Sequence, residues 1–196
     1  MARDSERARP SGRGSGGKAP RPVFWLFCEG EVTEPQYFKA LAQGRQIQLQ
    51  FKQGGAVPKT LVERAIKHKG GNPGGQTWCV FDRDEHPEIA ESCQRASAKG
   101  VEVAYSNPCF ELWLLLHFQE RPGAMHRHAL QALLQRHLPG YTGEHKHVDF
   151  ERLRGGVVEA EWRAERIEDD AKVRGDWGHE CNPQTSVYRL TRAMGA

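Results

Sequence analysis

Six consecutive apolar residues, VFWLFC at 23–28, suit a strand covered on both faces, as in the interior of a parallel sheet. A second run, TWCVF at 77–81, has the same character. Between and after them the chain alternates at short range. Thr33 and Gln36 stand at capping-box spacing and open a helix to about Leu41, with Gly44 as its stop. Ile47, Leu49 and Phe51 alternate with polar residues, as in a weaker, one-sided strand. Val57, Leu61, Val62, Ala65 and Ile66 share one helical face, with Pro58 in its first turn. KGGNPGG at 69–75 reads as loop, Pro87 opens a helix ending near Gly100, and VEVAY at 101–105 is a fourth strand. Strand and helix in such alternation predict an α/β fold of parallel β-α-β units, a three-layer sheet of about four strands.

From Asn107 onward the pattern turns helical. Asn107-Pro108 reads as a cap and first-turn proline leading into CFELWLLLHF, and further helices are expected over 125–137, 149–170 and 183–194. Asn182-Pro183 opens the last of these, and 170–182 reads as loop. The expected organisation is a tail over 1–21 and one domain over 22–196, with an α/β core at 22–106 and a helical extension at 107–196.

The first 20 residues are Arg, Ser, Gly and Pro without apolar periodicity, the composition of a disordered segment. Five basic residues against two acids give them the chain's whole excess of +3, so the remainder is formally neutral. A body of that balance excludes a generally basic nucleic-acid platform and leaves local positive surfaces. The start has no apolar core of a secretory signal, and LWLLLHF at 112–118 is too short to span a bilayer. Five cysteines without a C-x-x-C pair suit reduced thiols, so a cytoplasmic setting is expected.

Both buried-looking strands run straight into acid: Glu29, Glu31 and Glu34 after the first, Asp82, Asp84 and Glu85 after the third. Open parallel sheets bind ligands outside the carboxyl ends of their strands. Were these two strands neighbours, Glu29, Asp82 and Asp84 would converge there. Carboxylate oxygens are what a hard divalent cation such as Mg²⁺ takes, and a cation so held neutralises charge on a phosphoryl group. Glu34 and Glu88 are explained by the helix dipole, while Glu31 and Glu85 fit either reading.

Glu after the first strand and Asp-x-Asp after the third resembles the Toprim signature of topoisomerases, primases and some nucleases. CEGEVTEPQYF, VFDRDEH, SNPCFELWLLLHF and NPQTSVYRL, in that order, resemble the RloB-like family, also called RloB/AbiL-type Toprim proteins. The resemblance implies a Toprim-like, Rossmann-like fold and a Mg²⁺- or Mn²⁺-dependent nuclease or related phosphodiester-processing enzyme acting on DNA or RNA. It implies Glu29 as general acid or base, with Asp82, Asp84 and Glu29 at the metal. It further implies a role in phage defence and abortive infection beside an ATPase partner; no membrane partner is expected, because the longest apolar stretch is too short to span. A non-catalytic Toprim-shaped subunit regulating that ATPase is the alternative. Many Toprim nucleases carry a third acid two residues past the Asp pair. Here His86 holds that position, with Glu85 one residue early.

Further candidates are Ser106 and Asn107 at the end of the fourth strand, within reach of a phosphate, and Glu111, either an ion-paired helix-start carboxylate or a second acidic contribution. Lys146 reads as a solvated surface charge, or, by its position after Tyr141, resembles a family lysine that could reach substrate phosphate. His145 and His147 stand at a spacing zinc can use, but no thiolate or third His accompanies them. Cys109 in a helix's first turn reads as core, and no Gly-x-x-x-x-Gly-Lys loop supports a kinase-like phosphotransferase.

Overall fold

The computed structural model describes residues 20–52, 54–72, 74–83, 86, 88–142, 146–176 and 178–195. Residues 1–19 of the expected tail, Asp84, Glu85, Pro87 with the helix start expected there, and His145 lie outside them. The chain forms strands β1 (Val23–Cys28), β2 (Gln48–Phe51), β3 (Gln76–Asp82), β4 (Glu102–Asn107) and β5 (Gln184–Thr185). Its helices are α1 (Thr33–Ala42), α2 (Pro58–Gly71), α3 (Ile89–Ala98), α4 (Glu111–Leu116), α5 (Arg127–Gln135), α6 (Phe150–Arg154), α7 (Val157–Arg174) and α8 (Val187–Ala193).

One sheet runs β2-β1-β3-β4-β5, parallel except for β5. It is an α/β, Rossmann-like arrangement with which a Toprim-like fold is consistent. The apolar run of β1 alternates between the two faces. Phe24, Leu26 and Cys28 join Trp78, Val80 and Ala104 in the core under α1 and the C-terminal helices, while Phe27, Cys79 and Phe81 meet Leu61, Val62 and Ile89 on the α2–α3 side. A strand buried on both faces has no polar positions to give, which is why β1 and β3 read as unbroken apolar runs. Edge strand β2 alternates between exposed and half-buried residues.

The C-terminal part is helical as expected, yet it also completes the sheet. Ser106 and Asn107 pair with Thr185 and Gln184, so the expected four strands become five. This pairing overturns both Asn-Pro capping assignments. Asn107 ends β4 instead of capping a helix, and its side-chain amide donates to the carbonyl of His179 at 2.9 Å. Asn182 clasps the Met125 backbone, donating to its carbonyl and accepting from its N–H. Both Asn-Pro peptides are cis. Helix α4 begins only at Glu111, after Phe110.

Other boundaries moved for identifiable reasons. The Thr33/Gln36 capping box does not form: Val32 holds the cap position, and Gln36 accepts from the N–H of Val148. The expected loop at 69–75 begins as the last turn of α2, where Gly70 and Gly71 remain helical. The helix expected over 149–170 is split at Gly155-Gly156. A Cβ on Gly156 would lie 2.3 Å from the carbonyl oxygen of His117, so the chain turns where α7 passes against the end of α4. Helix α7 then runs on to Arg174, and Gly175 closes it with φ 78°.

Candidate functional site at the carboxyl edge of the sheet

Parallel pairing of β1 with β3 brings Cys28 opposite Val80, so the residues that follow leave the sheet side by side. Glu29 and Asp82 therefore meet across 53 residues of sequence. Glu29 Oε2 accepts from the backbone N–H of Asp82 at 3.1 Å, and Glu29 Oε1 lies 3.3 Å from His86 Nε2. Asp82 Oδ1 accepts from the N–H of Phe110 at 2.8 Å, which ties β3 to the start of α4. Its Oδ2 pairs with Arg127 Nη2 at 3.3 Å.

Glu29, Asp82, Phe110 and Arg127 line a cavity of about 570 Å³ whose wall also includes Glu31, Glu34, Glu111, Gln131 and Lys146. Glu34 does more than favour the helix dipole. It is buried and accepts from the N–H of Gly30 at 3.1 Å. A side chain on Gly30 would occupy the place of that carboxylate, so the glycine of EGE is needed for this close approach. Burial, together with the nearby Glu111 charge, pushes the Glu34 carboxyl up, against the lowering effect of its backbone hydrogen bonds and of Lys146.

Glu111 is the counterpart. Burial would raise it as well, but hydrogen bonds from Cys109, Gln131 and Tyr141 hold it below the usual carboxylate range. The Gln131 and Tyr141 bonds are each 3.0 Å, and Thr33 lies 3.4 Å from the Tyr141 hydroxyl. Two carboxylates in one cavity are thus driven in opposite directions by their surroundings. Cys109 is fully buried and its thiol is pushed up by burial, which suits a packing residue.

Of the residues singled out in the sequence, Glu29, Asp82, Glu111 and Lys146 share this cavity, and His86 touches it through Glu29. Ser106 does not: its hydroxyl is buried against Thr185 at 2.9 Å. Asn107 faces an adjoining cavity. His147 is exposed and His145 lies outside the described residues. Among the described residues no three His, Cys, Asp or Glu come together as a metal-holding group. Arg127, His128, Gln131, Thr33 and Tyr141 were not legible as site residues. Arg127 reaches Asp82 from 45 positions away, and no local motif marks such a contact.

Fold and cavity together define an α/β protein with a carboxylate-lined site where neighbouring parallel strands end. The family model of RloB-like proteins matches residues 24–194, and the chain belongs to that family. No curated protein and no solved structure matches it. Among the described residues no helix is long and apolar enough to cross a membrane.

Proposed function

We propose that this protein is a Toprim-type, Mg²⁺- or Mn²⁺-dependent nuclease or related phosphodiester-processing enzyme, working in phage defence by abortive infection. The observation that carries the chemistry is the Glu29–Asp82 contact at the ends of β1 and β3, opening onto a cavity large enough for a nucleotide. The defence role and the ATPase partner follow from family resemblance, and the cytoplasmic setting from five cysteines without a C-x-x-C pair.

The donor set fits a hard cation. Glu29 and Asp82 offer carboxylate oxygens, each with more than one lone pair, and the Cys109 thiol beside Glu111 is buried and pushed up by that burial. Asp82 and Glu29, with Asp84, would hold the cation; when bound, it supplies positive charge against the phosphoryl group. Glu29 manages the proton. Its Oε1 faces His86, whose half-exposed imidazole offers a path between the carboxylate and solvent. Lys146, at the rim, answers the charge of a substrate phosphate.

One observation favours the second reading, a non-catalytic subunit regulating an ATPase. Both Asp82 oxygens already have partners within the protein, Phe110 N–H and Arg127. Incubation with DNA and RNA panels in Mg²⁺ or Mn²⁺ separates the two. Metal-dependent cleavage that is lost in Asp82→Asn/Asp84→Asn supports the enzyme. Cleavage as fast in the double variant as in wild type places the activity elsewhere and ends the Toprim mechanism.

A further inference from the structure

Beside the carboxylate cavity lies a second of about 460 Å³, and Arg127 and His128 line both. The sign of charge reverses across that shared wall. The first cavity holds five carboxylates (Glu29, Glu31, Glu34, Asp82 and Glu111) against Arg127 and Lys146. In the second, among the described residues, Arg83 and Arg127 face one carboxylate, Glu180, beside His126 and His128. Cations are drawn to the first and anions to the second.

The geometry points to the second cavity as a subsite for the nucleotide next to the reacting phosphodiester, with Arg127 spanning the link between them. This rests on the phosphodiester reading of the first cavity. Arg127 now pairs with Asp82, and Arg83 with Glu180 at 2.5 Å. Glu180 is largely exposed while Arg83 is half-buried, and a pair whose carboxylate is open to water is weak enough for a phosphate to compete for the guanidinium. The volume suits one nucleotide. The pocket is also built in advance: Asn182 fixes the Met125 backbone at one side, and the amide of Asn107 fixes the His179 carbonyl at another. Little ordering remains to be done on binding, which favours affinity.

The test compares a 5′-phosphorylated dinucleotide with a phosphorothioate link, in DNA and RNA forms, with the matching mononucleotide. Affinities for the full chain are measured by calorimetry in Mg²⁺. The dinucleotide is expected to bind at least about ten-fold tighter, with an advantage that shrinks as salt rises. Arg83→Gln, which removes one charge, and Met125→Trp, which fills the cavity, should each abolish most of that advantage. Mononucleotide affinity and the metal-induced melting shift should stay unchanged. Should the tryptophan variant fail to fold, Arg83→Gln, which keeps most of the side chain's bulk at a half-buried position, carries the test. Equal affinity for the two probes, no binding of either, or an advantage surviving Arg83→Gln overturns the subsite. If the wild type cleaves nothing yet keeps an Arg83-dependent dinucleotide advantage, the nuclease reading fails and the subsite stands.

Discussion

The Glu29 carboxylate accepts a hydrogen bond from the backbone N–H of Asp82 at 3.1 Å, so the ends of β1 and β3 are joined by a side chain as well as by the sheet. The bond fixes one oxygen of Glu29 and leaves the other toward His86. A group that both anchors and exchanges protons should separate those roles on mutation. Glu29→Gln keeps an oxygen for the Asp82 N–H, so its melting temperature should stay within a few degrees of wild type. An amide cannot cycle a proton usefully, so cleavage should fall by about 100-fold or more. Parallel melting and cleavage assays check both, and a variant that cuts as fast as wild type removes Glu29 from the chemistry.

Crowded carboxylates repel, and a divalent cation relieves that repulsion. Mg²⁺ or Mn²⁺ should therefore raise the melting temperature. Binding to the folded state alone contributes about 2.7 kcal/mol when the metal stands at 100 times its Kd. Asp82→Asn should remove most of that shift, and Asp84→Asn should shrink it. In metal-free buffer Asp82→Asn should itself cost about 1 kcal/mol, since its amide nitrogen turns toward Arg127 or Phe110 N–H. Differential scanning calorimetry with and without metal gives both numbers.

Glu34 is expected to oppose folding at neutral pH without metal. Its carboxyl is pushed up by burial, so its stabilising contribution is present below the unfolded value and lost as pH rises through the folded one. Glu34→Gln retains an acceptor for the Gly30 N–H and has no charge to desolvate. It should melt higher than wild type at pH 7 in chelator, and the difference should vanish near pH 4. An equal or lower melting temperature at pH 7 would show that the Lys146 charge outweighs burial.

What the sequence disclosed follows from how local each signal is. The unbroken apolar runs of β1 and β3 report burial on both faces, and short alternation reports parallel crossovers, so the sheet and its acidic edge were legible. The Asn-Pro pairs misled because an amide before proline looks the same at a helix start and at a strand end. Only the remote strand β5, pairing with Ser106 and Asn107, decides between them. Glu34 was read from the helix dipole, a local effect, whereas its place beneath Gly30 depends on the turn after β1. Arg127 gave no signal, because its meaning lies in Asp82, on another element.

The paired glycines between α6 and α7 should respond in opposite ways to alanine. Gly155 has ordinary helical dihedrals and open space around it, so Gly155→Ala should stabilise by about 0.4–1 kcal/mol through the unfolded chain. Gly156 passes the His117 carbonyl so closely that an added Cβ would stand 2.3 Å away, against backbone that cannot rotate aside. Gly156→Ala should cost about 1–3 kcal/mol, as overpacking does. Urea unfolding of both variants reads the difference directly.

His117 should give the protein much of its acid sensitivity. Its Nδ1–H donates to the Leu153 carbonyl at 2.9 Å, and Nε2 lies 3.2 Å from the Tyr37 hydroxyl, which donates to it. Burial, assisted by the Arg163 charge, lowers the imidazole from its usual 6.5 to about 4, against the raising effect of the Leu153 bond. The folded protein therefore keeps this ring neutral where the unfolded chain takes up a proton. Stability from it is complete above the unfolded value and is lost as pH falls from 6.5 toward 4, by about 3 kcal/mol in all. Urea unfolding of wild type between pH 7 and 4 should show that decline. His117→Gln, which can still donate one bond and accept another, should start less stable at pH 7 and lose stability more slowly over the same interval. Parallel slopes for the two proteins would mean that the ring already carries a proton in the fold, and that Tyr37 accepts from it instead of donating.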